Sequence, residues 1–110
     1  MIVQQEVQVI KLNGIINAAQ SQELRIKITE LAETGAKIVL IDCQDVTFMD
    51  SSALGALVLA FKALRAVNIK LVLCAINEQV KILFELTSMD KVFEIFSSQD
   101  EFHHFINSQN

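Results

Sequence analysis

The chain is 110 residues long and 52% apolar, with no Pro, no Trp and 3 Gly, and its formal net charge is −4. That length suits one domain, expected over residues 1–110, and the acidic balance with scattered Lys and Arg argues against a nucleic-acid partner. The longest apolar run, Ala53 to Phe61, is about half a membrane span, and the start M-I-V-Q-Q-E lacks the pattern of a signal peptide; a cytoplasmic chain with no membrane partner is expected.

Met1 to Val3 reads as a short strand and Val7 to Leu12 as a second extended run ending at Gly14, joined by a hairpin turning near Gln5. Asn17 and Gln20 have capping-box spacing, and Leu24, Ile28 and Leu31 recur at helical intervals up to Gly35, a left-handed stop. Glu23 and Lys27 are spaced for an ion pair on the outer face of that helix. Lys37 to Asp42 is a near-continuous apolar strand, the pattern of one covered on both faces. Gln44 to Met49 reads as a loop, and a second helix begins at Asp50 or Ser51. Ile69 to Ile76 is another covered strand. Asn77 can cap a third helix through Leu86, with Val80, Leu83, Phe84 and Thr87 inward. Val92 to Phe96 reads as a final strand, and Ser98 with Glu101 as the capping box of a terminal helix bearing Phe102, Phe105 and Ile106. Strands alternating with helices predict a single-domain α/β fold. Its mixed, mostly parallel β-sheet would open with an N-terminal hairpin and be packed by about four helices.

Few residues offer reaction chemistry. Cys43 and Cys74 have neither Cys-x-x-Cys nor metal-ligand spacing and read as core thiols. Asp42, Asp45 and Asp50 surround one expected loop and suggest a magnesium pocket, but a surface turn plus a helix cap accounts for them. His103 and His104 are adjacent, so on a helix they diverge by about 100° and cannot share a metal. There is no G-x-S-x-G elbow and no glycine cluster for phosphates. The Phe residues recur at core spacing. No enzyme activity, cofactor or metal is expected.

The informative segment is V-T-F-M-D-S-S-A-L-G-A-L-V-L, Val46 to Leu59. Asp50, Ser51 and Ser52 supply three side chains able to cap a helix that needs one. Leu54, Leu57, Val58, Phe61 and Leu64 form the stripe that faces the sheet. The opposite face carries Ser52, Gly55, Ala56, Leu59 and Ala63, without charge, so another helix or a partner protein must cover it. Gly55 costs about 1 kcal/mol relative to Ala in a helix interior, and close approach of another backbone would justify it. Two readings stay open: a plain N-cap, or a hydroxyl switched from neutral to roughly doubly negative by phosphorylation.

F-M-D-S-S-A-L-G, Phe48 to Gly55, resembles the signature of bacterial anti-sigma factor antagonists, the STAS domain also found at the cytoplasmic end of sulfate transporters. The resemblance covers essentially the whole chain. Leu12-Asn13-Gly14 is similar to the end of that family's second strand, and Ile38 to Asp42 to its strand before the phosphorylation loop. Ala75-Ile76-Asn77 with Val80 to Phe84 resembles its third helix and approach. The resemblance implies a partner-switching protein. Its unmodified form would bind an anti-sigma factor that is also a serine kinase, phosphorylation of Ser51 would release it, and a metal-dependent serine phosphatase would restore it. The implied docking surface takes in Asn17, Asp50, Ser52 and Ala53, continuing along Gly55, Ala56 and Leu59. Ala53 and Ser88 stand where the family often has Gly, and Asn17 where it has Asp. The uncharged helix face also leaves room for a monomer or a weak homodimer. An alternative is a constitutive STAS subunit of a lipid-transport ATPase or a stress-sensing complex; a third is a ligand or nucleotide sensor.

Overall fold

The computed structural model describes residues 7–108. In chain order the elements are β1 (Val7–Ile16), α1 (Ala18–Ala32), β2 (Ile38–Met49), α2 (Ser51–Arg65) and β3 (Lys70–Cys74). They continue as α3 (Glu78–Leu86), a 3-10 turn (Met89–Lys91), β4 (Ile95–Phe96) and α4 (Gln99–Ser108). The four strands lie in the order β1-β2-β3-β4, each parallel to its neighbour. Parallel neighbours cannot be joined by a tight turn, so α1 and α2 serve as crossovers and α3 with the 3-10 turn as a third. The hairpin expected at Met1 to Val3 and Gln5, and with it the antiparallel pairing, lies outside the described residues.

The side-chain alternation of β2 divides the core in two. Val39, Ile41 and Cys43 face the larger cluster, where α1, α2 and α3 contribute Leu24, Ile28, Leu57, Val80 and Phe84. Ile38 and Leu40 face the other way and pack with Val72, Cys74 and Phe102 beneath α4. A strand covered on both faces must be apolar at every position, which is why Ile38 to Ile41 carries no polar residue.

Two expectations about strand ends are corrected. β1 does not stop at Gly14 but runs to Ile16, and Gln44 to Met49 is not a loop but the second half of β2, paired with Asn13 to Ile16. The register shifts twice, between Lys11 and Asn13 and again between Gly14 and Ile15, β2 carrying the extra residue each time. Each bulge breaks the period of two and exposes polar residues, so the segment looks irregular in sequence while its ladder persists. Gly14, at φ +71, occupies the left-handed conformation between the two shifts, where a side chain would be strained.

Smaller differences have local causes. α1 ends at Ala32 with Glu33 as its cap, and Gly35, at φ +88, turns the chain two residues later. Among the described residues the ion pair is Lys70–Glu94, 3.1 Å, rather than Glu23–Lys27; exposed pairs give little reason to hold long side chains together. Thr87 is not inward but exposed at the end of α3, its hydroxyl donating to the carbonyl of Leu83. Val92 lies ahead of β4 and is exposed, and so is Phe48, while Phe93 meets Phe84 edge to face and the partly buried Phe61 at a tilt in the larger cluster. In the Ser98 box the Ser98 hydroxyl accepts from Glu101 N–H, but the Glu101 carboxylate accepts from Ser97 N–H, one residue earlier than expected.

Candidate functional site

The site is built where β1 and β2 finish together. Ile16 and Met49 are register partners, and each is followed by a helix cap, Asn17 for α1 and Asp50 for α2. Asn17 Oδ1 accepts from Ala19 N–H at 3.1 Å, and Gln20 Oε1 returns the bond to Asn17 N–H, completing the box expected from sequence. Asp50 Oδ1 accepts from Ala53 N–H at 3.0 Å, and Asp50 N–H donates to Ile16 carbonyl at 3.2 Å, tying the two caps to one strand end. Two helix N-termini, each with partial positive charge, therefore stand side by side beyond the carboxyl ends of the strands. Open α/β sheets place their binding sites there.

Of the three candidate caps, Asp50 does the capping. Ser51 and Ser52 are exposed, and among the described residues their hydroxyls make no hydrogen bond. The redundancy of the sequence thus resolves into one structural carboxylate and two free hydroxyls at the first helical turn.

The expected docking residues separate. Gly55 and Leu59 are exposed along one side of α2, while Ala53 is fully buried and Ala56 nearly so. Ala53 cannot meet a partner, because its methyl group packs inside the larger cluster. Ala56 is 6% exposed, so the face that the sequence left bare is only partly open. What remains open is a groove of about 700 Å³ between α1 and α2, lined by Ser51, Ser52, Gly55 and Leu59 on one side and Gln22 and Arg25 on the other. A Cβ built on Gly55 meets nothing within 4 Å, so no contact among the described residues explains that glycine.

Gln79, unmarked in the sequence, and Asn77, expected there only as a helix cap, hold the Asp50–Ser51 turn from beneath. Gln79 Oε1 accepts from Met49 N–H at 2.9 Å and Gln79 Nε2 donates to Met49 carbonyl at 2.8 Å. Asn77, besides capping α3 by accepting Val80 N–H at 2.9 Å, donates Nδ2 to the carbonyls of Val46 and Thr47. β3 pairs with β2 only as far as Asp42, so these amides satisfy backbone groups that no strand neighbour reaches. Nothing in the order of residues marks Gln79 for this role, nor Arg25 for the groove.

The acidic trio forms no cluster. Asp42 is buried under α4, Asp45 is exposed, and Asp50 caps α2. Among the described residues no group of three His, Cys, Asp or Glu could hold a metal ion. Burial would raise the Asp42 carboxyl, but hydrogen bonds from Gln99 Nε2 (2.7 Å), Gln44 N–H (3.0 Å) and the Cys74 thiol, with the Lys11 charge, outweigh it. The net effect holds that carboxyl below its ordinary value. Burial pushes both Cys43 and Cys74 up to about 12, the nearby Asp42 charge adding to it, and both are free thiols. His103 is half-buried against Gln99 and the Phe102 ring, and His104 is exposed. No helix among the described residues is long and apolar enough to cross a membrane.

A four-stranded parallel sheet with two adjacent capped helices and two exposed serines after the Asp50 cap defines a small α/β domain. The chain belongs to the STAS domain family, whose model matches residues 1–102. It is 36% identical over 89 residues to the anti-sigma-B factor antagonist of Listeria monocytogenes, covering 80% of this chain and 77% of that one. The fold superposes on the unphosphorylated anti-sigma factor antagonist SpoIIAA with a TM-score of 0.81 and 20% identity, over 98% of this chain and 94% of that one. SpoIIAA of Bacillus in its phosphorylated form gives 0.71 at 19% identity over 96% of each chain. An antagonist from Mycobacterium paratuberculosis gives 0.82 at 20% identity, over 96% of this chain and 89% of that one.

Proposed function

We propose that the chain is an anti-sigma factor antagonist working as a phosphorylation-controlled partner switch in the bacterial cytoplasm. Unmodified, it binds an anti-sigma factor that is also a serine kinase, through the first turns of α2 and the groove beside them. Phosphorylation of Ser51 releases the partner, and a metal-dependent serine phosphatase resets the chain. The observation that carries this reading is the division of labour at the turn. Asp50 closes the helix end, which leaves the Ser51 hydroxyl exposed and without a structural task. The relatives named as anti-sigma factor antagonists support the same reading.

The physics of the switch is local. A phosphate on Ser51 sits at a helix N-terminus, where the dipole favours it by about 0.3–1 kcal/mol, so the fold tolerates it. Between molecules it inserts a hydrated dianion into a close contact, and a loss of about 3 kcal/mol there weakens binding roughly a hundredfold. The test is intact-mass analysis of the chain recovered from its own cells, before and after phosphatase, with the modified residue located by fragmentation. One phosphate on Ser51 is expected, with Ser51→Asp folded but deficient in binding the anti-sigma factor that co-purifies with the wild-type chain. A phosphate located elsewhere, or equal binding by wild type and Ser51→Asp, overturns the reading.

A further inference from the structure

Resting on that reading, we infer that Arg25 is the specificity-determining charge of the docking surface, and that the partner presents a carboxylate to it. The α1/α2 groove is lined by small, apolar and neutral polar side chains from both helices, and Arg25 is the one ionised group among them. Arg25 is exposed, and among the described residues its guanidinium makes no hydrogen bond or ion pair. Among the described residues that line the groove there is no acid to neutralise it. A guanidinium fork selects a planar, bidentate acceptor.

Complementarity then fixes the occupant: a segment of the anti-sigma factor with an Asp or Glu opposite Arg25 and a compact apolar surface against Gly55 and Leu59. A second copy of this chain fits poorly. A two-fold contact of groove on groove would cover both Arg25 side chains with lining residues that supply no carboxylate. A nucleic acid fits no better, since a lone cation on an acidic chain neutralises too few phosphates. The same assignment explains the sign of the switch. Ser51 lines the groove that Arg25 lines, so a phosphate on Ser51 places a second anion, and a rival for Arg25, on the surface where the partner's carboxylate docks.

The experiment measures affinity of the full chain for the anti-sigma factor that co-purifies with it from its own cells, at low and at physiological salt, for wild type, Arg25→Gln, Arg25→Glu and Ser51→Asp. Arg65→Glu, at the far end of α2, is the control. Arg25→Gln should weaken binding and flatten its salt dependence, and Arg25→Glu should cost more than about tenfold, with Arg65→Glu near wild type. An acid-to-Arg change in the partner that restores binding to Arg25→Glu identifies the pair. Melting curves, expected unchanged for this exposed residue, exclude misfolding. If Ser51→Asp abolishes binding while Arg25→Glu binds like wild type, the inference fails and the partner switch stands. If neither substitution matters, both fail. Self-association of the chain that Arg25→Glu disrupts puts a second copy in the groove and also overturns the inference.

Discussion

The side-chain amide of Gln79 pairs with the backbone of Met49 in both directions, accepting its N–H at 2.9 Å and donating to its carbonyl at 2.8 Å. Met49 is fully buried and is followed directly by Asp50, so this pair sets where α2 begins. Truncation to Ala leaves a backbone donor and acceptor without a partner, at a cost of about 1–3 kcal/mol. Gln79→Glu should fare little better, since a carboxylate cannot donate to the Met49 carbonyl. Urea titration should show a lower midpoint for both variants. A midpoint equal to wild type would mean that water replaces the amide without loss.

Asp50 and Ser51 are neighbours with opposite expected costs. Asp50→Ala removes the acceptor of Ala53 N–H and should lose about 0.5–2 kcal/mol, most of which Asp50→Ser recovers. Ser51→Ala removes an exposed hydroxyl that makes no hydrogen bond among the described residues and should change stability by less than about 0.5 kcal/mol. Thermal melts of the three variants check the contrast. A destabilised Ser51→Ala would assign Ser51 the capping role and remove the argument for a free hydroxyl.

Covered strands and capped helices were legible in the chain because their signals are local. Ile38 to Ile41 is uninterrupted apolar sequence, and Asn17, Asp50 and Asn77 each precede a helix as polar caps. What misled was the second half of β2, where two bulges erase the alternation by which a strand is recognised. Ser88, read as a departure from a family glycine, does sit at φ +60, the conformation that glycine serves. The site was legible as a segment but not as a surface. Whether Ala53 or Gly55 faces outward depends on how α1 and α2 cross, and Gln79, Asn77 and Arg25 join the site through contacts between elements distant in sequence.

Asp42 links β2 to α4 and carries a pH signature. Its carboxyl is held below its ordinary value of 3.8 in the folded chain, so the stability it contributes is present above that value. As pH falls from about 3.8 through the lower folded value, the group protonates, the bonds from Gln99 and Gln44 weaken, and the contribution disappears. Asp42→Asn should be less stable at neutral pH and lose less on acidification. Denaturant midpoints from neutral pH to about pH 3 would show this as converging curves. Parallel curves would assign the acid sensitivity to other carboxylates.

Cys43 and Cys74 stand on opposite faces of the sheet, one in each core cluster, both buried. With burial pushing both thiols up to about 12, almost no thiolate exists near pH 8. Native chain should resist a thiol reagent over hours and react at both sites once unfolded. Rapid native labelling of Cys74 would show that α4 lifts from the sheet far more often than its packing implies.

Gly55 offers a test in which stability and binding should move in opposite directions. The residue lies in the interior of α2 with ordinary helical geometry, and a methyl group there would meet nothing within 4 Å. Gly55→Ala should therefore stabilise the folded chain by up to about 1 kcal/mol, through helix propensity alone. A residue that costs stability, and at which a Cβ would meet nothing among the described residues, is explained if a partner's surface comes close enough to need the missing methyl. The substitution should then weaken docking in the groove, with Leu and larger residues at that position more damaging than Ala. Measuring the melting temperature and partner affinity of Gly55→Ala together separates the possibilities. A more stable chain that binds as tightly as wild type would leave Gly55 without a role at the interface and move the contact toward Asn17 and the caps.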